Sequence, residues 1–244
     1  MEVLVSDYDG TFYTNEKDIY INCKKVKEFI ENGNIFVLSS GRSYESLIKK
    51  VNEYNIPYNY LACADGSFLF DSEKRMHYAY TMSHDVIKIV DELKKCNNYK
   101  KIEYTNPLSY NTEYDEKKIL GSVTLTIDKE NINDMFIDKI NSIKEKYPEY
   151  QYDIYGYDNT YFYLIRPNGV SKSSPIRYLE ERHNLDRNNI YTIGDNTNDF
   201  ELIRDYNGYR IGNNKDIIDV SLKEYNAVHE LVDDINKKKV LKRW

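Results

Sequence analysis

Cysteine is scarce in this chain. Three occur in 244 residues, at Cys23, Cys63 and Cys96, far apart and without a CxxC pair. Such an odd, scattered set argues against a disulfide framework and against a thiolate zinc site, and fits reduced thiols in a cytosolic protein. The four histidines, His77, His84, His183 and His229, show no metal-ligand spacing and read as surface or partly buried residues. No stretch approaches the roughly 18 apolar residues that span a bilayer. No basic segment followed by an apolar one opens the sequence, so no signal peptide is visible. The expectation is a cytoplasmic protein without a membrane partner. Long basic runs are missing before the extreme C-terminus, and 34 Lys and Arg against 40 Asp and Glu leave a net charge of -6. A sequence-independent nucleic-acid binder needs a basic stripe, so that class is disfavoured. Lys237-Lys238-Lys239 and Lys242-Arg243 read as the solvated tail of a helix. No Pro- or Gly-rich linker, internal repeat or low-complexity segment breaks the chain.

What is abundant is tyrosine, at 25 residues. These suit half-buried positions that want an apolar ring and a wet hydroxyl together. The length fits one large domain or two modest ones, each with a core.

Val3-Leu4-Val5 is a short apolar strand that runs directly into Asp7-Tyr8-Asp9-Gly10-Thr11. Period-two alternation would send both carboxylates the same way from the strand end, and Gly10 permits a turn that other residues avoid. Val26, Phe29 and Ile30 recur at helical spacing before the stop signal Asn32-Gly33. Ile35 to Leu38 reads as a second strand buried on both faces. Tyr44 to Val51 reads as a helix, and Tyr60 to Ala64 as a third strand. This βαβα rhythm argues a parallel sheet covered by helices. Between about 72 and 165 the pattern changes. Amphipathic helices are expected near 83–95 and 131–147, with strands at Ser122–Ile127, Gln151–Tyr155 and Tyr161–Ile165 and a hairpin turn at 156–159. Helix and strand signals then resume at Ser171–His183, with Pro175 tolerable only in the first turn, at Ile190–Ile193 and at Asp199–Arg204.

Four polar clusters fall at these strand ends or helix starts: Asp7 and Asp9; Ser39-Ser40-Gly41-Arg42; Lys172; and Gly194-Asp195-Asn196-Thr197-Asn198-Asp199. Ligands of open α/β sheets bind beyond the carboxyl ends of the strands, so the four can converge. Phosphoryl transfer to a carboxylate needs such a set, because two anions must meet and their repulsion must be neutralised. Asp7, Asp195 and Asp199 offer hard oxygens suited to Mg²⁺. Ser40 offers a hydroxyl, and Gly41 lets backbone amides approach a phosphate. Lys172 supplies a point charge for phosphate and carboxylate alike, and Asp9 can protonate a leaving oxygen and then activate water. Taken singly, each cluster has a plainer explanation: a solvated turn, a loop, a surface lysine, an Asx turn capping a helix. Their order and placement together carry the functional reading. Arg42 either touches substrate or pairs with a helix carboxylate.

These four segments resemble the motifs of the haloacid dehalogenase-like hydrolases, and in the second motif the Cof-type branch. Asp7-Tyr8-Asp9-Gly10-Thr11 is similar to the nucleophile motif, Leu38-Ser39-Ser40-Gly41-Arg42 to the second, Gly169-Val170-Ser171-Lys172 to the third, and Gly194 to Asp199 to the fourth. The resemblance covers both flanking segments, while the insert matches only in position and α+β pattern. It implies an α/β fold: a doubly wound, Rossmann-like parallel-sheet core (1–71 and 166–244) with an inserted α+β cap domain (72–165). It also implies Asp7 as nucleophile and Asp9 as acid/base, with Mg²⁺ held by Asp7, the Asp9 carbonyl and Asp195, and Asp199 in support. Ser40, Gly41 and Lys172 would hold the phosphate, and Asn198 would orient Lys172. The cap would hinge near 70–82 and 164–169 and select the substrate. One departure stands out: where Cof-type members often carry Asn-Gly-Ala, this chain has Asp65-Gly66-Ser67, which would add a charge near the pocket mouth facing the substrate.

The expected activity is a Mg²⁺-dependent phosphatase for small phosphorylated metabolites, a sugar phosphate or a cofactor phosphate. The alternatives are a phosphomutase acting on hexose phosphates, a receiver-type phospho-acceptor module, which is about half this length and lacks such an insert, and a catalytically inactive binding protein.

Overall fold

The computed structural model describes residues 1–96, 98–157 and 159–241. The chain divides into two compact units, Met1–Tyr78 with Ser171–Trp244, and Ala79–Val170. The first is built on an eight-stranded sheet in the order β13-β12-β11-β1-β2-β3-β4-β5. Its strands are β1 (Val3–Asp7), β2 (Ile35–Ser39), β3 (Tyr60–Cys63), β4 (Phe68–Asp71), β5 (Met76–Ala79), β11 (Ile190–Gly194), β12 (Asn207–Ile211) and β13 (Glu224–Tyr225). From β13 to β3 the neighbours are parallel, and β4 returns antiparallel to β3. The five residues each of β1, β2 and β11 are buried, as strands covered on both faces require.

The helices of this unit are α1 (Glu16–Glu31), α2 (Tyr44–Tyr54), α5 (Ser174–His183), α6 (Phe200–Asp205), α7 (Lys215–Ile218) and α8 (Val228–Leu241). Two apolar cores result. One gathers Leu4, Phe36 and Leu38 with Ile19, Val26 and Phe29 of α1 and Val228, Leu231 and Val232 of α8. The other gathers Val3, Val5 and Val37 with Ile176, Leu179 and Leu202. Buried Asn22 ties α1 down: its amide donates to the Phe12 carbonyl at 2.9 Å and its oxygen accepts from the His229 backbone at 2.8 Å.

The position of β1 decides where chemistry can sit. β2 and β3 lie to one side of it, and β11 and β12, which follow the insert in sequence, lie to the other. The direction of winding therefore reverses between β1 and β11. At such a switch point the loops leave the strands in opposite directions and open a crevice.

The second unit is an antiparallel sheet in the order β7-β6-β8-β10-β9, made of β6 (Lys101–Thr105), β7 (Tyr110–Asn111), β8 (Ser122–Asp128), β9 (Tyr150–Tyr157) and β10 (Thr160–Pro167). In β8 the buried Val123, Leu125 and Ile127 alternate with half-buried Thr124, Thr126 and Asp128. The buried set packs with α3 (Val86–Lys94) and α4 (Asp134–Lys146), whose inward stripes are Val86, Ile89, Val90, Leu93 and Phe136, Ile140, Ile143. Glu92 of α3 accepts from Lys139 at 2.7 Å, Lys146 at 2.6 Å and the Tyr147 hydroxyl at 3.1 Å, which staples the two helices together.

The boundaries differ from the expected ones for physical reasons. Residues 72–78, expected in the insert, stay with the core because β5 extends the sheet edge beside β4. Residues 166–170, expected in the core, stay with the insert. β10 continues to Pro167, and the buried Arg166 guanidinium donates to Asp153 and to the Val170 carbonyl. The expected helix at 171 begins at Ser174, since residues 171–174 form a turn in which Ser174 N–H donates to the Ser171 carbonyl at 2.9 Å. The tip of the expected hairpin at 156–159 includes Asp158, outside the described residues; the flanking β9 and β10 pair antiparallel from Tyr157 and Thr160 outward. Of the basic C-terminal tail, Lys237 to Lys239 fall in α8, and 242–244 lie outside the described residues. No helix among the described residues is long and apolar enough to cross a membrane.

Candidate active site

β1 ends at Asp7, whose side chain is almost fully buried. The chain then turns tightly: Phe12 N–H donates to the Asp7 carbonyl at 3.0 Å, and Tyr13 N–H to the Tyr8 carbonyl at 2.9 Å. Gly10 makes the turn possible in two ways. Its φ of +82° is one that L side chains avoid, and a Cβ there would lie 2.5 Å from Oδ2 of Asp195. Thr11 then donates to Oδ1 of Asp195 at 2.7 Å. The loop after β1 and the loop after β11 are thus locked together across the switch point.

Asp9 belongs to the turn rather than to the strand, so the period-two argument stops at Asp7. The Asp9 carboxylate meets the Arg42 guanidinium in a two-pronged pair, 2.7 Å to each oxygen. Arg42 is steadied further by Ser46 at 3.1 Å and by the Tyr8 ring, whose centroid lies 5.6 Å from its guanidinium carbon. Arg42 follows β2, whose end also places Ser40. That hydroxyl is buried and accepts from the Arg42 backbone at 3.2 Å.

Lys172 lies at the centre of the site. Its side chain is 1% exposed, and its ammonium donates to Oδ1 of Asp7 and to Oδ1 of Asp199, at 2.6 Å each. A lysine this buried is rare unless paired. Asp199 is itself buried, and its Oδ2 accepts from the backbone N–H of Asp195 and of Asn196. That loop closes as a capping box, Asn196 and Asp199 each satisfying the other's backbone, over a single 3₁₀ turn that leads into α6. The Asx-turn explanation of this segment therefore holds, and the same cap ties Asp199 to the backbone of Asp195.

Asp7, Asp195 and Asp199 each bring a carboxylate oxygen within 4.8 Å of the others. Burial, together with Asp199 and Asp195, pushes the Asp7 carboxyl well above its ordinary range against the pull of Lys172. Burial and the Asp199 charge push Asp195 up to about 6. Burial alone would lower the Lys172 ammonium, but Asp199, Asp7 and Asp65 outweigh it and hold it well above its usual value. One ammonium does not balance this many carboxylates, and the trio of hard oxygens suits a divalent cation that would supply the missing charge. The residues therefore fit such an ion. The Asp9 carboxylate lies outside the trio, committed to Arg42.

Two expected neighbours sit differently. Asn198, expected to orient Lys172, gives its amide to Oδ1 of Asp65 at 2.9 Å, while two carboxylates hold Lys172. Asp65, expected near a pocket mouth facing substrate, is 3% exposed and turned inward, because Ala64 and Asp65 both adopt left-handed backbone, φ 52° and 50°. Sequence reasoning also assigned no role to the Thr11 hydroxyl. The motif it closes was the available signal.

The haloacid dehalogenase-like hydrolase family matches residues 4–223, and the chain belongs to that family: it is an enzyme, a hydrolase. A candidate phosphatase of Buchnera aphidicola is 25% identical over 223 residues, covering 82% of each chain. A haloacid dehalogenase/Cof-like hydrolase of Plasmodium vivax superposes with a TM-score of 0.78 at 16% identity, covering 97% of this chain and 96% of that one. A sugar phosphatase of subclass IIB superposes with a TM-score of 0.74 at 14% identity, covering 99% of each. At such identities the structural matches speak for the fold: the parallel-sheet core with its inserted cap.

Proposed function

We propose that this protein is a Mg²⁺-dependent phosphatase that hydrolyses small phosphorylated metabolites, sugar phosphates or cofactor phosphates, through a phosphoryl group carried on Asp7. The observation that carries the reading is the buried Lys172 bridging Asp7 and Asp199, with Asp195 alongside. Such a centre repels an anion unless more positive charge is added, and attracts one once it is.

Asp7 and Asp195, with the Asp9 carbonyl and with Asp199 in support, would hold the ion, which supplies charge neutralisation for the incoming phosphate. The Asp7 carboxylate attacks phosphorus, and the ester oxygen leaves with a proton from Asp9. Ser40, the amide of Gly41 and Lys172 hold the equatorial oxygens as charge redistributes. Asp9 then takes a proton from water as it attacks the aspartyl phosphate, returning Asp7 and releasing inorganic phosphate. Asp9 must loosen from Arg42 to do this, so Arg42 sets where the carboxylate rests between turnovers. The residues between Ala79 and Val170 act as the cap that chooses the substrate.

The names of relatives support phosphatase over the other activities: a candidate phosphatase in Buchnera aphidicola and a sugar phosphatase among the structural matches. The test is phosphate release by purified protein from a panel of phosphorylated sugars, nucleotides and cofactors, with Mg²⁺ and with EDTA. Release that needs the cation supports the proposal. Full activity after exhaustive chelation, or isomerisation of a hexose phosphate on addition of its bisphosphate with little phosphate released, contradicts it.

A further inference from the structure

We propose that Asp65 is a positioning residue of this site: its buried carboxylate holds the Asn198 amide and, with the turn that carries it, keeps the loops bearing Ser40, Lys172 and Asp195 in register for phosphoryl transfer, without itself touching substrate. The inference rests on the function proposed above.

The turn that carries Asp65 is held in an unfavourable shape. Ala64, Asp65 and Gly66 follow one another with φ of 52°, 50° and 92°. Alanine has no side-chain group to help it there, so the surroundings must impose the conformation. They do so from two sides. The Ala64 N–H donates to the Arg42 carbonyl at 2.9 Å, and the Asp65 N–H to the Ser40 carbonyl at 3.2 Å. On the other side Gly66 packs so closely on the Ser171 carbonyl that a Cβ would lie 1.9 Å from its oxygen. The turn is thus wedged between the loop that carries Ser40 and the loop that carries Lys172.

What the wedge delivers is a carboxylate among three loops. Oδ1 of Asp65 accepts from Asn198, in the loop after β11. Oδ2 lies 3.0 Å from the point where a Cβ on Gly41 would sit. The same turn packs on the backbone that carries Lys172: a Cβ on Gly66 would also lie 2.9 Å from the Lys172 backbone nitrogen. At 3% exposure the carboxylate has little surface left for a ligand. A negative group this near an anion site weakens anion binding by Coulomb repulsion, so ground-state affinity is not its contribution. Its contribution is to hold the groups that meet the phosphoryl oxygens in the transition state.

The experiment compares wild type with Asp65→Asn and Asp65→Ala in steady-state turnover of p-nitrophenyl phosphate and of the best substrate from the panel. Thermal unfolding and calorimetric binding of inorganic phosphate accompany it. Asparagine tolerates left-handed backbone and keeps an acceptor for Asn198, so Asp65→Asn removes the charge and little else. The expected result for Asp65→Asn is a kcat about tenfold lower, KM unchanged or lower, phosphate bound at least as tightly, and an unchanged Tm. Asp65→Ala should lose about a hundredfold in kcat. An unchanged kcat in Asp65→Asn overturns the proposal. So does a raised KM with kcat intact, which marks a substrate contact, or a kcat loss that tracks a lowered Tm, which marks a structural role. Wild-type protein that releases phosphate from no monoester would instead overturn the phosphatase assignment, and this inference with it.

Discussion

Replacing Lys172 with methionine tests the bridge at the heart of the site. Methionine nearly matches the length and volume of lysine but carries no charge, so packing is kept while Asp7 and Asp199 lose their shared cation. Both acidic side chains are at most 6% exposed, so neither can turn to water without local rearrangement. Breaking a buried ion pair by removing one partner costs about 3–5 kcal/mol, because a charge remains buried and uncompensated. At about 2–4 °C per kcal/mol for a unit of this size, Tm should fall by roughly 10 °C in EDTA. The two carboxylates and Asp195 now form an uncompensated trio, so Mg²⁺ should raise Tm more in the variant than in wild type. Binding to the folded state alone stabilises by RT ln(1 + [L]/Kd). Turnover should drop by about 10²–10³-fold, the usual cost of removing one donor to transition-state charge. The assay is differential scanning fluorimetry across a Mg²⁺ series in parallel with phosphate release. A variant with wild-type Tm in EDTA and no added response to Mg²⁺ would refute the bridge as described.

Other outcomes follow from single contacts. Gly10→Ala should destabilise by about 1–2 kcal/mol through its left-handed backbone and should also displace Asp195, whose Oδ2 the new Cβ would meet at 2.5 Å; chemical denaturation and turnover should fall together. Asn22→Ala leaves the Phe12 carbonyl and the His229 N–H without their partner and should cost about 1–3 kcal/mol in urea unfolding without changing kcat. In the insert, hydrogen bonds from Lys139 and Lys146 lower the Glu92 carboxyl to about 2, below its unfolded value. Glu92 therefore stabilises the unit fully above pH of about 4.5 and loses that contribution as pH falls towards 2. Lys146 is 58% exposed, so solvent screening limits the contribution to about 1 kcal/mol; Glu92→Gln should lower Tm at pH 7 and make no difference near pH 2.

The centre of the site was legible because its signals are local. Asp7, Ser40, Lys172 and Asp195 each follow a short apolar strand or precede a helix, and the topology of an α/β sheet brings such points together. The parallel core and the antiparallel β8, β9 and β10 were legible for the same reason, since burial on two faces or one leaves a different period in the sequence. What escaped depends on tertiary contact. Nothing at Ala64 announces left-handed backbone, so the inward turn of Asp65 could not be read. The Arg42 fork on Asp9 joins residues far apart in sequence, and Arg42 by itself suits several partners. The short strands β4, β5 and β6 carry weak alternation, and without the edge strand β5 the insert reads as beginning at 72. The end of the insert was misplaced because Arg166 belongs to the insert through Asp153 and the Val170 carbonyl, contacts that no residue pattern encodes.

The central claim, that Asp7 carries the phosphoryl group, is tested most directly by trapping. Wild-type protein would be acid-quenched during turnover of its best substrate with Mg²⁺, reduced with borohydride and mapped by mass spectrometry. An acyl phosphate on Asp7 is reduced to the alcohol, so Asp7 should be converted to homoserine only with substrate and Mg²⁺ present, and not at all in Asp7→Asn. Turnover with Asp7 unmodified and the phosphoryl group on another residue would contradict it.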